Sequence, residues 1–592
     1  MKKIVYNLSI LFMLVLLFSC SDDFLEREPL GTLAETVFYN EEGLDALLIG
    51  TYAIMDNAMD GGFRYAHTPT NWMYGSVVSD DGYKGSDAGD VAPVKEMETW
   101  NTLPTNPWLS EKWIWTFNGV TRTNNILRIL KETTDILPET AAQIEAQARW
   151  LRAYFNFESW LIYRNIPIIT EDTPDPSLVP NDVDILPHII DDLTFAMNTL
   201  PGRQAQVGRP TRYAAMALAA RAYMQELMYD EAKPLLDNII NEGGFSLMDS
   251  FHDNFRIETN NNAESIFEIQ CAVNDGAWWN ANGNAGVGLN WPMRDFVGNS
   301  NVNQTSQNLV NAFKVDEDGL PMFETFNDED LKHDMGIPSD SLFVPTTDPI
   351  DPRLDWTTGR RGIPLLDWGV YRGQATVKDQ AYGGPYSPPI KYYFYKSELG
   401  TLSANTGWMR GISANNIRLY RLSHIILWRA EIHAFENELD QAEALVNQIR
   451  NRAGNHVVMG RITTYQLPAP TFPFNVDIDF DEPAANYSVS PYPEGTFAAQ
   501  GQAFAMRAVQ WENRLEFAQE GLRFFDLRRW DNLPADLNSM PMVQTLNDFA
   551  QADLRMRTSM VGAQFREHMK YWPIPQSQVD LQPGIIKQND GY

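Results

Sequence analysis

Along much of this 592-residue chain apolar positions return every three to four residues, the period of a helix with one buried face. Ile144, Ala148, Leu151, Phe155 and Ile162 follow that rhythm within residues 139–163, and residues 109–132 read the same way. Residues 209–244 read as a helix, a tight turn and a second helix: Pro210 and Thr211 mark the start, Tyr229 and Asp230 the turn, and Gly243 the stop. A similar unit is predicted at 415–454, where Ala442, Leu445, Val446, Ile449 and Ala453 form one face and Gly454 ends the second helix. An earlier helix is predicted in "NEEGLDALLIGTYAIMDNAM", with Asn40 as its cap and acids in the first turn, where the helix dipole favours them. In "WENRLEFAQEGLRFFDLRRW" the residues Trp511, Leu515, Ala518, Leu522 and Phe525 share one helical face, with Glu520–Arg523 and Asp526–Arg529 paired along its surface. Helical hairpins recurring without a strict repeat of about 34 residues predict a mostly α fold, a tetratricopeptide-like scaffold with a few short strands.

Between these helices the texture changes. Residues 60–108 are irregular and rich in Gly, Asp, Asn and aromatics. From about residue 250 to 410 a strand-like run, "SIFEIQCAV", leads into a long stretch of Gly, Asn, Pro, Asp and rings, and a Pro-rich insert follows at 467–500. Loops of that length in a folded domain carry function more often than not. "WPIPQ" near the carboxyl end reads as a packed extended strap. The expected organisation is a signal at 1–19, a tether at 20–40, a helical region at 41–250, a loop-rich ligand-binding region at 251–410 and a second helical region of the same domain at 411–592.

The amino end adds a location. Lys2 and Lys3 precede the mostly apolar run Ile4 to Phe18, which is shorter than the roughly 20 residues a spanning helix needs. Leu17, Phe18 and Ser19 lead directly into Cys20, an order that resembles a bacterial lipobox, with Cys20 lipidated as the mature first residue. Each buried methylene contributes about 0.8 kcal/mol, so the two or more acyl chains of such a cysteine hold firmly where a single chain does not. Asp22 and Asp23 resemble the acidic signal that directs such lipoproteins to the outer face of the membrane. Loss of Lys2 and Lys3 with the signal takes the net charge from −31 to −33. A body so acidic repels phosphate backbones, which excludes nucleic acid as a partner and leaves the lipid as the only membrane attachment. Cys271 is the sole other cysteine, so stability must come from packing and not from disulfides.

Several segments taken together resemble the SusD/RagB family, the outer-membrane nutrient-binding lipoproteins of Bacteroidetes. They are "CSDDFLEREP" after the signal, "QARWLRAYFNFESWLIYRNIPII" at 147–169, "GRPTRYAAMALAARAYM" at 208–224, "QNLVNAFKVDEDGLP" at 307–321, "DPRLDWTTGRRGIPLLDWG" at 351–369, "WENRLEFAQEGLRFFDLRRW" at 511–530 and "YWPIPQSQVDLQPGIIKQNDGY" at the end. The resemblance covers almost the whole chain. It implies helix pairs of tetratricopeptide type supporting ligand loops, and a SusC-like TonB-dependent β-barrel transporter over which the protein sits as a hinged lid.

Sugars offer flat C–H faces edged by hydroxyls, so their sites need exposed rings beside planar hydrogen-bonding groups. "NDGAWWNANGNAGVGLNW" supplies Trp278, Trp279 and Trp291 among Asn274, Asp275, Asn280 and Asn282. Adjacent tryptophans in a Gly and Asn loop follow no amphipathic period. A second candidate, "NWMYGSVVSDDGY", offers Trp72, Tyr74, Asp80, Asp81 and Tyr83; a third, "GRRGIPLLDWG", offers Arg360 and Arg361 as forks for hydroxyls or carboxylates and Trp368 for stacking. Each set has a structural alternative, in which rings plug loops onto the scaffold and arginines pair with loop acids. Catalytic chemistry finds little support. Gly283, Gly286 and Gly288 form no dinucleotide fingerprint, no phosphate-loop run exists, the eight histidines lack H-E-x-x-H spacing, and "DEDG" at 316–319 lacks the later ligands of a calcium loop. No cofactor is expected. The expected function is capture of oligosaccharides at the cell surface and their delivery to the barrel. Capture of peptides, a glycoside hydrolase on a helical scaffold and a purely structural outer-membrane component are the alternatives.

Overall fold

The computed structural model describes residues 35–56, 65–277, 280–293, 296–298, 300–404, 411–465 and 476–592. The predicted signal and Cys20 lie outside these residues. Helix α1 (Glu41–Tyr52) opens on Asn40, whose side chain accepts from the Gly43 amide at 2.9 Å, as the sequence predicts. After a short helix α2 (Ala92–Glu98) come α3 (Pro107–Glu132) and α4 (Pro138–Tyr163), each with proline in its first turn, where no backbone donor is needed. The scaffold continues through α5 (Leu186–Thr199), α6 (Arg212–Gln225) and α7 (Tyr229–Glu242), and from α3 onward each helix packs on the next.

Position in the stack explains the burial of each helix. On α5 the buried residues Leu186, Ile189, Leu193 and Ala196, and on α7 Tyr229, Ala232, Leu236 and Ile239, trace a single stripe facing the layer beneath. Helix α6 touches α5, α7 and two strands, and it is buried nearly all round, with Ala214, Ala215, Ala217, Ala219, Ala220 and Ala222 keeping its girth small. The turn between α6 and α7 falls before the predicted Tyr229–Asp230. Leu227 takes the left-handed conformation (φ 54°) and ends α6, so Tyr229 becomes the first residue of α7 and donates its hydroxyl to Glu431 at 2.8 Å.

Four short strands lie between the helices: β1 (Gly82–Gly85), β2 (Ser265–Ile269), β3 (Val302–Thr305) and β4 (Ile417–Arg421). Strand β1 pairs antiparallel with β3, and β2 with β4. The strand predicted across "SIFEIQCAV" is therefore only its first five residues. From β4 the chain turns directly into α8 (Leu422–Phe435), which packs on α7, on α9 (Leu439–Ala453) and on α10 (Gln502–Glu516), joining the two helical regions. A hairpin of β5 (Met459–Tyr465) and β6 (Val476–Pro483) follows α9, so the Pro-rich stretch 467–500 contains a strand the sequence reading did not place.

The single helix predicted over 511–530 is two. Helix α10 ends at Glu516, the chain turns through Gln519 (φ 63°) and Gly521 (φ 76°), and α11 (Arg523–Trp530) starts afresh ahead of α12 (Met542–Asp553). The apolar spacing survived because both helices face the same core: Trp511, Leu515, Ala518 and Phe525 are all buried. Its charges are not on the surface. Glu520 accepts from Lys391 (2.7 Å) and Arg421 (2.9 Å), Arg523 turns to Asp80, and the Asp526–Arg529 pair (2.8 Å) is enclosed. Beside it Glu516 is shared by Arg421 (2.5 Å), Arg353 (3.1 Å) and Arg452, a buried compartment in which every charge has a partner.

Candidate functional site

The structure turns inward most of the side chains proposed from sequence. Trp72 and Tyr74 lie on a buried π-helical turn, Trp72–Val77. The Trp72 indole donates to the Gly286 carbonyl (2.9 Å), and the Tyr74 hydroxyl lies 3.1 Å from the Ala66 carbonyl and 3.2 Å from that of Trp108. Asp80 and Asp81 are buried acceptors for arginines. Arg523 grips Asp80 through two nitrogens at 2.8 and 3.0 Å, and Arg514 donates to Asp81 at 2.9 Å. Burial pushes the Asp80 carboxyl up, yet Arg514 and Arg523 outweigh it and hold the group down at about 2. Tyr83 accepts from the Gln307 amide at 3.0 Å inside the same core.

Trp291 and Trp368 belong to a small core of the loop region together with Leu365, Tyr371, Ile390 and Phe394. Trp291 stacks on Tyr393 with ring centres 4.1 Å apart, and the Trp368 indole donates to the Phe394 carbonyl at 2.9 Å. Arg360 forks onto Asp355 (2.6 and 2.9 Å), while Arg361 donates to the carbonyls of Ile337 (3.0 Å) and Ser341 (2.5 Å). One physical cause underlies these corrections. A long loop region needs a core of its own, and its rings and ion pairs provide it.

Asp275 and Asn280 do reach the surface, in a loop whose Trp278 and Trp279 lie outside the described residues. Asn274 fastens this loop: its backbone amide donates to Asn280 Oδ1 (2.7 Å), and its side chain reaches the Thr401 carbonyl (3.2 Å). Asp275 accepts from the Asn282 side chain (2.7 Å) and the Ala277 amide (3.0 Å), and these two bonds hold its carboxyl below the usual carboxylate range. An acid held ionised in this way is a poor proton donor.

Next to the loop is a cleft of about 350 Å³ between the end of α1, the turn at 206–209 and the chain leaving β2. Ile49 and Val207, 54% and 71% exposed, are its apolar lips, and Tyr52, Phe267 and Ile269 lie deeper. Planar polar groups come from Gln206, Arg209, Gln270 and Asn282. Gln270 is a clamp: its amide exchanges 2.9 Å bonds with Asn261, accepts from Asn416 (3.1 Å) and donates to the Glu268 carbonyl (2.9 Å). The turn 206–209 lies so close to it that a Cβ on Gly208 (φ 87°) would sit 2.5 Å from Gln270 Cγ. Arg209 spans Asp45 (2.7 Å), Gln147 (3.0 Å) and Gln206 Oε1 (2.6 Å), and its guanidinium sits over the Tyr52 ring. Among the described residues this leaves Gln206 Nε2 as a donor on one wall and Asn282 Oδ1 as an acceptor on the other. Neither Gln206 nor Arg209 was singled out from sequence.

This arrangement has relatives. Residues 263–592, more than half of the chain, match the SusD family profile. The chain belongs to the SusD family. Residues 23–224 match a second SusD-like profile described as "Starch-binding associating with outer membrane". A SusD-like protein of Bacteroides ovatus is 26% identical over 284 residues, 45% of this chain and 49% of that protein, and SusD-like protein P2 of Formosa agariphila is 27% identical over 254 residues, 42% and 48%. The chain spans about half the length of the curated relatives it matches. Among solved structures, a SusD superfamily protein from Bacteroides vulgatus superposes with a TM-score of 0.65 at 19% identity, covering 94% of this chain and all of that one. Surface glycan-binding protein A from Bacteroides thetaiotaomicron, in complex with laminarihexaose, gives 0.61 at 19% identity, covering 93% and 99%. At such identity the likeness establishes the SusD fold, a mostly helical body with few short strands. No helix among the described residues is long and apolar enough to cross a membrane.

Proposed function

We propose that this SusD-family protein is a glycan-binding lipoprotein, anchored through Cys20 to the outer membrane and exposed at the cell surface, that captures oligosaccharides and passes them to a SusC-like TonB-dependent barrel. The observation that carries this reading is the cleft of about 350 Å³, where apolar lips and a stacked Tyr–Arg wall flank an amide donor and an amide acceptor. Packing of C–H faces supplies contact energy, and the planar amides supply selectivity among hydroxyls. Trp278 and Trp279, a few residues along the chain from Asn282, are the rings proposed to stack on the sugar. Laminarihexaose in the related surface glycan-binding protein A supports an oligosaccharide of this general kind. The protein binds and delivers without making or breaking covalent bonds.

Native affinity gels cast with a panel of polysaccharides, laminarin and starch among them, test the reading. Retardation by at least one glycan is expected, and Trp278→Ala and Trp279→Ala should reduce it. Migration unaffected by every glycan, combined with binding of oligopeptides, would replace this reading with peptide capture. Release of reducing ends from a bound glycan would contradict the absence of catalysis.

A further inference from the structure

A second cleft, of about 380 Å³, opens among the 323–327 segment, α10, the start of α11 and α12. It shares no lining residue with the first. Phe323 and Phe326, both only half-buried, stand edge-on to the buried Trp511 with ring centres 5.4 and 4.9 Å away, so three aromatic side chains form one wall. Their inner edges pack on the core, and the parts left open border the cleft, where an apolar ligand face would cover them.

The polar part of the lining is electrically balanced and lies beside the rings. Arg507 lies over Phe323 and Arg514 over Phe326; with Arg523 they are matched by Asp80, Glu324 and Asp548, and Arg507 is ion-paired with Glu324. Arg523 spends Nε and Nη2 on Asp80, whereas its Nη1 is buried without a hydrogen-bond partner. That nitrogen is closed to the cleft as well as to water, so the guanidinium anchors Asp80 beneath the lining and is not itself a ligand contact. Balanced charges disfavour a strongly ionic ligand. Rings interleaved with fixed polar groups favour a ligand with apolar C–H faces and neutral hydroxyls.

We infer that this cleft is a second saccharide-binding site, independent of the first, in which Phe323 and Phe326 pack on sugar faces and the polar side chains of the lining meet its hydroxyls. The inference rests on the proposed glycan-binding function, and it adds that one chain engages a polysaccharide at two separate places. Two sites on one body raise retention of a long chain through effective concentration while leaving the capture of a short fragment nearly unchanged.

Calorimetric titration of the full chain in detergent with laminarihexaose and maltohexaose should resolve two classes of site for a ligand that binds. Thr545→Trp, on the face of α12 that borders the cleft, should remove one class; Phe326→Ala should weaken the same class by about tenfold, in line with loss of an aromatic contact. Asn282→Ala should act only on the other class. If the wild type shows one class that Asn282→Ala weakens and both Thr545→Trp and Phe326→Ala leave alone, the second site is refuted and the proposed function stands. If neither oligosaccharide binds, this inference falls; if the whole polysaccharide panel fails as well, so does the reading beneath it.

Discussion

Asp80 and Arg523 stand 443 residues apart in the chain and meet side-on, Nε to Oδ1 at 2.8 Å and Nη2 to Oδ2 at 3.0 Å, in a space from which both side chains have lost nearly all contact with water. The pair fixes the loop after the π-helical turn to the first residue of α11. It also holds Arg523 in place beneath the second cleft, with Nη1 enclosed. Removing one partner of a buried pair strands the other charge. Asp80→Ala is therefore expected to cost about 3–5 kcal/mol of unfolding free energy in a chemical denaturation curve, and Asp80→Ala/Arg523→Met is expected to recover part of that loss.

The same pair shows how far the sequence could be read. Helices were legible because an apolar stripe is a local property: the faces of α7 and α9 can be traced from residues three and four apart. Asp80 was misread because its partner is not local. An acid in a loop full of Gly, Asn and rings looks the same whether it faces a ligand or an arginine from the far end of the chain. Trp291 and Trp368 were misread likewise, since a ring's stacking partner, Tyr393 for Trp291, depends on how the loop folds back. The break between α10 and α11 escaped notice because two helices on one core keep a common apolar register across the turn. The first cleft draws its polar groups from three separate segments, of which only the loop carrying Asn282 stands out by its own pattern.

Backbone contact at that break makes a sharp prediction. Gly75, on the π-helical turn, lies so close to Gly521 that a Cβ there would stand 1.8 Å from the Gly521 carbonyl oxygen, and a Cβ on Gly521 would stand 2.0 Å from that of Thr70. Gly521 also has a left-handed φ of 76°. Gly75→Ala and Gly521→Ala should each lose about 3 kcal/mol or more, seen as a lowered melting temperature. Gly584→Ala is the control. Its φ of 78° is equally left-handed, yet nothing lies within 4 Å of the added carbon, so only the conformational strain of about 1–2 kcal/mol is expected.

Two buried histidines predict acid lability. His252 stacks on Trp356 and His424 on Phe517, with ring centres 4.4 and 4.1 Å apart. Burial, reinforced by Arg256 beside His252 and Arg421 beside His424, depresses both imidazoles to about 3. Below about pH 6.5 the unfolded chain takes up these protons while the folded one refuses them. Their contribution is thus fully present above pH 6.5 and is lost as pH falls towards 3, at about 1.4 kcal/mol per pH unit for each ring. Denaturation curves at pH 7, 6 and 5 should show His424→Gln with a slope shallower than wild type by about half that amount between pH 7 and 6 and by nearly all of it between pH 6 and 5. An unchanged slope would mean that the ring is already charged in the folded state.

In the first cleft, binding and stability should separate, because the groups left open there are not the groups that hold it together. Gln206 Nε2 and Asn282 Oδ1 face the cleft from opposite walls, and both residues are at least partly exposed, so Gln206→Ala and Asn282→Ala should shift the unfolding free energy by less than about 1 kcal/mol. Each removes a neutral hydrogen bond to a sugar hydroxyl, worth about 0.5–1.5 kcal/mol net, so affinity for the retained glycan should fall about two- to tenfold per variant. Ile49→Asp adds a charge to an apolar lip without touching either amide, and it should weaken every glycan to a similar extent, while the amide variants should change the ranking of glycans that differ in hydroxyl orientation. Gln270→Ala is expected to differ from all three. With its clamp on Asn261 and Asn416 gone, stability and binding should fall together, and a thermal melt beside an affinity gel distinguishes that joint loss from the isolated loss at Gln206 and Asn282.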